Sequence, residues 1–318
     1  MDPLDLLLTN LRTPIVLAFV LGVIAKLIRS DLEIPAPVSS TISIYLLLAI
    51  GLKGGKALAQ TPMGEVVWPA VATVALGVIT PLTAYALAKR RYSEADSAAL
   101  GAHYGSVSVV TFIAAMAAAE SAGVAPEGFM PALVAMLEVP AIIVALMVLN
   151  MRQKASGSWQ EALAEVATGK SIVLLIGGLA IGWIAGPTGM EKVDPFFVSL
   201  FDGALTLFLL ELGMVAAARA RELRTGSLFL IGFGIGLPIA HGTLGTWFGT
   251  LSGMSIGGSA VLGAMTASAS YIAAPAAVRL AVPEANPTVY LGAALGITFP
   301  FNLTLGIPLY IELARRLA

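Results

Sequence analysis

The chain has 318 residues, 58% of them hydrophobic and only 12% charged, with a net charge of −1 and a mean hydropathy of +0.89. Ordinary soluble domains carry about 25% charged residues. So few charges cannot coat a solvated enzyme, a disordered regulator or a nucleic-acid binder, the last of which also needs a basic excess. The composition is that of a polytopic membrane protein, and its apolar content favours a helical bundle over the alternating strands of a β-barrel.

With no cysteine in the chain, disulfides, thiolate metal sites and Cys nucleophiles are excluded. The start, Met1-Asp2-Pro3-Leu4-Asp5, lacks a positive n-region and a small-residue cleavage site, so no signal peptide is expected. A helical span needs about 20 mostly apolar residues. Marking stretches between charges and Pro/Gly punctuation gives ten spans: 13–30, 37–58, 66–88, 97–120, 128–150, 170–187, 195–217, 226–249, 255–279 and 287–314.

In chain order, span 2 ends on Lys53 and Lys56, which are expected to snorkel. Span 4 carries His103, Gly105, Ser106, Ser108 and Thr111, and span 5 carries Glu138 just before Val139-Pro140. The segment 151–169 is the longest hydrophilic stretch and divides the chain into halves, 1–150 and 170–318. Span 6 bears Gly178, Gly182 and Gly186 at spacing four, a packing face without hydroxyls. Asp202 and Glu211 fall in span 7, and His241 follows Pro238 in span 8. Gly253-Met254-Ser255-Ile256-Gly257 fits G-x-S-x-G, but that motif needs a strand-to-helix elbow and here sits in a turn between spans. Span 9 carries Thr266, Ser268, Ala269, Ser270, Tyr271 and Pro275, and is closed by Arg279.

Orientation follows from Lys and Arg. With the N-terminus outside, inward ends hold twelve: Lys26, Arg29, Lys89, Arg90, Arg91, Arg152, Lys154, Lys170, Arg219, Arg221, Arg224 and Arg279. Outward ends hold six: Arg12, Lys53, Lys56, Lys192, Arg315 and Arg316. Both termini are therefore expected outside, with 151–169 a short cytoplasmic loop.

Two segments repeat. Leu100-Gly101-Ala102-His103-Tyr104-Gly105-Ser106-Val107-Ser108 aligns with Leu262-Gly263-Ala264-Met265-Thr266-Ala267-Ser268-Ala269-Ser270, an offset of 162 (Leu100 to Leu262). Each is followed by an Ala-rich run and a Pro-Glu pair, Pro126-Glu127 and Pro283-Glu284. At the same offset, Gly51 in Leu46–Leu52 meets Gly213 in Phe208–Met214. Five spans per half is odd, so the second half is expected to be inserted upside down, as in secondary transporters.

Small hydroxyl residues beside Gly or Pro let a membrane helix break. Lipid tolerates such a break only where protein or water satisfies the backbone. Paired breaks in spans 4 and 9 point to a transporter's binding site. Half-helix N-termini there suit a small anion, while hydroxyls and carbonyl ends suit a sodium ion. Close helix packing by small residues is the alternative account of either segment alone. Of the acids, Glu138 is the first functional candidate, then Glu211 and Asp202; each is otherwise a protonated carboxyl bonded to a neighbouring helix. His103 and His241 lie on different helices without an acidic partner in the sequence and read as interhelical hydrogen-bonders rather than a metal site.

The run Ser268-Ala269-Ser270-Tyr271-Ile272-Ala273-Ala274-Pro275, then Val282-Pro283-Glu284-Ala285-Asn286-Pro287 and Ile307-Pro308-Leu309, resembles the sodium-dependent bicarbonate transporter family of cyanobacteria and other bacteria. Ile50–Gly55, Leu237–Gly242 and Gly105–Ser108 are similar to it as well. The resemblance runs from span 1 to the C-terminus and is most specific in spans 9 and 10. It implies an all-α fold of ten helices in two inverted five-helix repeats, with broken helices 4 and 9 crossing at the site. It also implies a homotrimer in the bacterial plasma membrane, in which helices 1, 2, 6 and 7 form a scaffold and helices 3–5 and 8–10 an elevator-like moving core. By position, Gly105, Ser106, Ser108, Thr111, Ser268, Ala269, Ser270 and Tyr271 would surround bicarbonate, and Glu138, Thr266, Ser108 and Ser270 would hold sodium, the coupling ion. No organic cofactor and no nucleic acid are implied.

Two departures from the cyanobacterial pattern stand out. Tyr271 occupies the place of an Asp, with Ala273-Ala274-Pro275-Ala276 in place of Ser-Gly-Pro-Pro, whereas Glu138 falls where those proteins carry an Asp. The middle loop is short where cyanobacterial members have a long hydrophilic insert, which removes one support for control by a small PII-like protein. The expected function is sodium-dependent symport of bicarbonate or a similar small anion. The rivals are a proton- or sodium-coupled carrier of a small organic acid and a non-transporting membrane sensor.

Overall fold

Thr13 and Pro14 open the first helix of the bundle. The Thr13 hydroxyl accepts from the Val16 amide at 3.4 Å, and Pro14 supplies the fixed φ favoured in a first helical turn. The structure is a computed structural model that describes residues 3–152, 161, 164, 167–222 and 228–318. Its regular elements are all helices. They are α1 (Pro3–Leu11), α2 (Pro14–Leu27), α3 (Ala36–Leu58), α4 (Met63–Ala88), α5 (Glu94–Gly105), α6 (Val109–Ser121) and α7 (Met130–Arg152). After these come α8 (Lys170–Met190), α9 (Asp194–Phe197), α10 (Phe201–Glu222), α11 (Leu228–Leu251), α12 (Ile256–Thr266) and α13 (Ala274–Ala281). The last, α14 (Pro287–Leu317), contains two π-helical stretches, Gly292–Thr298 and Asn302–Gly306. Most of the expected 151–169 loop lies outside the described residues.

Among the described residues, seven helical stretches are long and apolar enough to cross a membrane: Ala36–Leu58, Met63–Ala88, Glu94–Ser121, Lys170–Met190, Asp194–Ala220, Leu228–Leu251 and Pro287–Leu317. The expected first span at 13–30 is shorter than its apolar run. Its helix has 14 residues, about 21 Å of rise against a hydrocarbon core of about 30 Å, and it ends where Arg29 turns to φ 59°. The short helix α1 had no sequence signal, and α9 forms the first residues of the expected span 195–217, which turns at 198–200 before α10. Asn10 ties α1 to the bundle by donating to the Leu303 carbonyl at 3.1 Å.

The packing follows glycine. α3 lies against α8, and α10 against α2. A Cβ on Gly51 would meet the Leu175 carbonyl at 2.8 Å and the Gly178 Cα at 2.9 Å. One on Gly213 would run into the Phe19 carbonyl, and one on Gly22 into the Leu210 carbonyl. With no hydrophobic drive between helices in lipid, such backbone approach is what holds them together. The span 6 glycines thus form the expected packing face at Gly178 and Gly182, whereas Gly186, at φ 60°, makes the kink before Pro187. Large apolar side chains such as Leu21, Trp68, Val71, Trp183 and Ile184 cover the outward faces, as lipid contact requires.

The remaining contacts come in matched sets. α4 packs on α5 as α11 does on α12; α5 on α7 as α12 on α14; α6 meets α12, and α13 meets α5. The N-caps match too: Ser93 accepts from Asp96 N, and Ser255, 162 residues on, accepts from Gly258 N, both at 3.1 Å. Hence Ser255 of the G-x-S-x-G string is a helix cap.

Candidate functional site

α5 ends at Gly105 and α6 begins at Val109, with Ser106 and Ser108 in extended conformation between them. α12 ends at Thr266 and α13 begins at Ala274. The two breaks are bonded directly to each other. The Ser270 amide donates to the His103 carbonyl at 2.8 Å. The Ser108 amide donates to the Ser268 hydroxyl oxygen at 2.8 Å, and that hydroxyl donates in turn to the Met265 carbonyl at 2.6 Å. At the offset of 162, Ser108 matches Ser270 and His103 matches Met265. The second bond is therefore the counterpart of the first with a serine hydroxyl inserted.

Ser108 also caps α6, accepting from Thr111 N at 3.2 Å, and the Ser270 hydroxyl accepts from Ala274 N, the first residue of α13, at 3.3 Å. The amides of Val109 and Val110 stand at the open start of α6, where a helix leaves donors without a backbone partner. Pro275 removes one donor from the start of α13, so α6 is the richer anion-facing end.

What remains unspent is informative. Ser106 Oγ, Thr111 Oγ1, Tyr271 OH and Glu138 Oε2 are buried and make no hydrogen bond. An unsatisfied buried polar group costs about 1–3 kcal/mol, so the three hydroxyls at the breaks call for a ligand. The Tyr271 hydroxyl approaches the Ser108 side chain without making a hydrogen bond within 3.5 Å. Its ring packs edge-on against Phe299, at 5.6 Å between centroids.

The other predicted residues do structural work. Gly105 lies against Pro81, whose ring a Cβ would meet at 2.6 Å. Thr266 Oγ1 is within 3.0 Å of the carbonyls of His241, Leu262 and Gly263, so it bonds toward α11. Ala269 packs in an apolar cluster with Tyr104 and Phe233. Glu138 is 1% exposed, and α7 continues as a helix through Pro140. Among the described residues no group of three or more His, Cys, Asp or Glu could hold a metal ion, so a cation here depends on hydroxyls, carbonyls and Glu138.

Histidine readings divide. His241 bonds across to Thr83 Oγ1 of α4 at 2.7 Å, as expected. His103 Nδ1 instead meets its own helix at Ala99 O, 2.7 Å, and its ring lies 4.4 Å from that of Tyr290. Asp202 is exposed, and Glu211 lines a polar pocket with Lys26 and Arg219. Sequence reasoning missed Asn302, which donates to the Ala267 carbonyl at 2.8 Å and so closes the end of α12. It also missed Thr298, whose hydroxyl donates to Gly234 O at 2.7 Å, the carbonyl that Pro238 deprives of its helical donor. An Asn in mid-span, flanked by Pro300 and Pro308, was the available signal.

A family model described as the Na+-dependent bicarbonate transporter superfamily matches residues 14–315, nearly the whole chain. No curated protein matches it.

Proposed function

The chain belongs to the Na+-dependent bicarbonate transporter superfamily, a family of transporters rather than enzymes, and from that premise we propose a sodium symporter that imports bicarbonate, or a similar small monovalent anion, across a bacterial plasma membrane. The reading has ten spans in two inverted five-helix repeats, both termini outside, and a trimeric assembly. Matched packing and matched N-caps at the 162-residue offset support the repeat. The Lys/Arg distribution supports the orientation. Trimer and PII-like control rest on the resemblance alone.

The observation that carries the site is the set of buried, unpartnered oxygens at the paired breaks. Ser106, Thr111 and Tyr271, with the open amides of α6, offer neutral donors to an anion. Glu138 and nearby carbonyls offer oxygen ligands to sodium, whose charge offsets that of the anion in a site with no Lys or Arg. Alternating access follows as motion of α4–α7 and α11–α14 against α2, α3, α8 and α10. The cross-bonds between the breaks keep the site intact as that core moves.

The test is uptake of radiolabelled bicarbonate into proteoliposomes under an inward sodium gradient, with potassium replacement as the comparison. Accumulation only with sodium is expected. Absence of uptake in both salts, from protein that unfolds cooperatively, would rule out bicarbonate and direct the search to other small anions.

A further inference from the structure

Between α3, α6 and the start of α10 lies a cavity of about 240 Å³. Its charged lining residues are Lys53, Glu120 and Asp202. Lys53 does not snorkel away from it. Its side chain is partly buried, and its ammonium sits over the Phe201 ring, 5.0 Å from the centroid. Lys56, three residues on, is neutralised by Asp194 at 2.6 Å. Lys53 belongs to none of the ion pairs among the described residues.

Lys53 is thus steered by an aromatic face and makes no ion pair within 4 Å among the described residues. In a cleft with apolar walls its charge is focused on the space before it. The inner wall is formed by Phe112 and Ile113, the residues that follow Thr111 and its unpartnered hydroxyl. The cavity therefore lies against the half-helix whose start carries the unpartnered Thr111 hydroxyl. Glu120 and Asp202 are exposed and line the same cavity. With two carboxylates against one ammonium, the lining opposes a multiply charged anion most strongly, and a singly charged one is accommodated only close to Lys53 or with an accompanying cation.

We propose that Lys53 is a landing site for the transported anion, a small monovalent species held in this cavity before it reaches the crossing. The proposal rests on the anion reading of the crossing, and the test separates the two. Because the chain has no cysteine, Met116→Cys places a single thiol on the cavity wall. In detergent-purified protein, its modification rate is compared for an anionic sulfonate and a cationic trimethylammonium methanethiosulfonate reagent. Removing one unit charge several ångströms away in water changes each rate about threefold in opposite senses. Lys53→Gln should therefore lower the anion-to-cation rate ratio about tenfold, and Lys53→Arg should preserve it. In proteoliposomes Lys53→Gln should raise the bicarbonate KM about three- to tenfold, with kcat and the sodium half-saturation unchanged. An unchanged ratio, or a changed ratio with an unaltered KM, overturns the landing site. A lowered ratio in a protein that moves no bicarbonate would fault the substrate assignment and leave the landing site standing.

Discussion

Ser268 carries the Ser108 amide to the Met265 carbonyl through bonds of 2.8 and 2.6 Å, whereas Ser106, its counterpart at the 162-residue offset, is left without a partner because the Ser270 amide reaches His103 O unaided. The two serines should therefore answer to the same substitution differently. Ser268→Ala strands the buried Ser108 amide, while the Met265 carbonyl keeps the Ser268 amide at 3.2 Å; the cost of about 1–3 kcal/mol is read as a lower unfolding midpoint of the purified protein. Ser106→Ala strands nothing and should leave that midpoint unchanged. If Ser106 donates to the anion, the loss of one hydrogen bond to a charged group, about 1.5–3 kcal/mol, raises the bicarbonate KM roughly ten- to a hundredfold. Equal midpoints for the two variants would refute the relay, and a wild-type KM for Ser106→Ala would remove it from the site. Composition named both serines, since small hydroxyls beside glycine mark a break. It could not say which hydroxyl is spent on the protein and which is left for a ligand. That depends on where the opposite half places its carbonyls, as with Thr266, which bonds toward α11.

At the level of elements, glycine decides whether helices touch. Gly213 has no room for a Cβ beside the Phe19 carbonyl, while Gly232 and Gly236 have nothing within 4 Å of the same position. Gly213→Ala should push α10 off α2 and sharply reduce the yield of folded protein in size-exclusion profiles. Gly232→Ala should be neutral, or stabilising by up to about 1 kcal/mol, because alanine is the better helix former. Similar yields for both would mean that the α2–α10 contact is not set by backbone approach. Seven of the expected spans were legible as long apolar runs, and the break in span 4 as Gly105-Ser106. The π-helical turns of α14 were not, because they arise in three dimensions. Pro300 and Pro308 each withhold an amide, the register slips, and the freed turn seats Asn302 against Ala267 O. The 14-residue α2 was misjudged for a related reason. Its apolar run continues past the helix end, where Ile28 is 71% exposed and Arg29 has left the helical region.

For the whole molecule, the crossing is closed at its ends as well as its centre. Glu127, after α6, accepts from the Ser255 amide at 2.5 Å at the start of α12, and Asp96, in the first turn of α5, accepts from the Asn286 amide at 2.7 Å after α13. Each half thus holds the first crossing half-helix of the other, directly or by its own carboxylate. Together with the bonds between the breaks, this makes α5, α6, α12 and α13 one mechanical unit. A second cavity, of about 280 Å³, separates α6 from α2 and α10 and is lined by Ala118 and Thr206. If transport requires the core to slide past α10, bridging that gap must stop it. Ala118→Cys with Thr206→Cys, joined through two disulfides by a short bis-methanethiosulfonate reagent in a chain with no other cysteine, should reduce sodium-driven bicarbonate flux to background, and reduction of those disulfides should restore it. Each single cysteine treated alike should keep its flux, since small, partly exposed positions accept a thiol adduct without loss of packing. Full flux through a quantitatively cross-linked protein would exclude sliding at this surface and confine the alternating motion to the half-helices themselves.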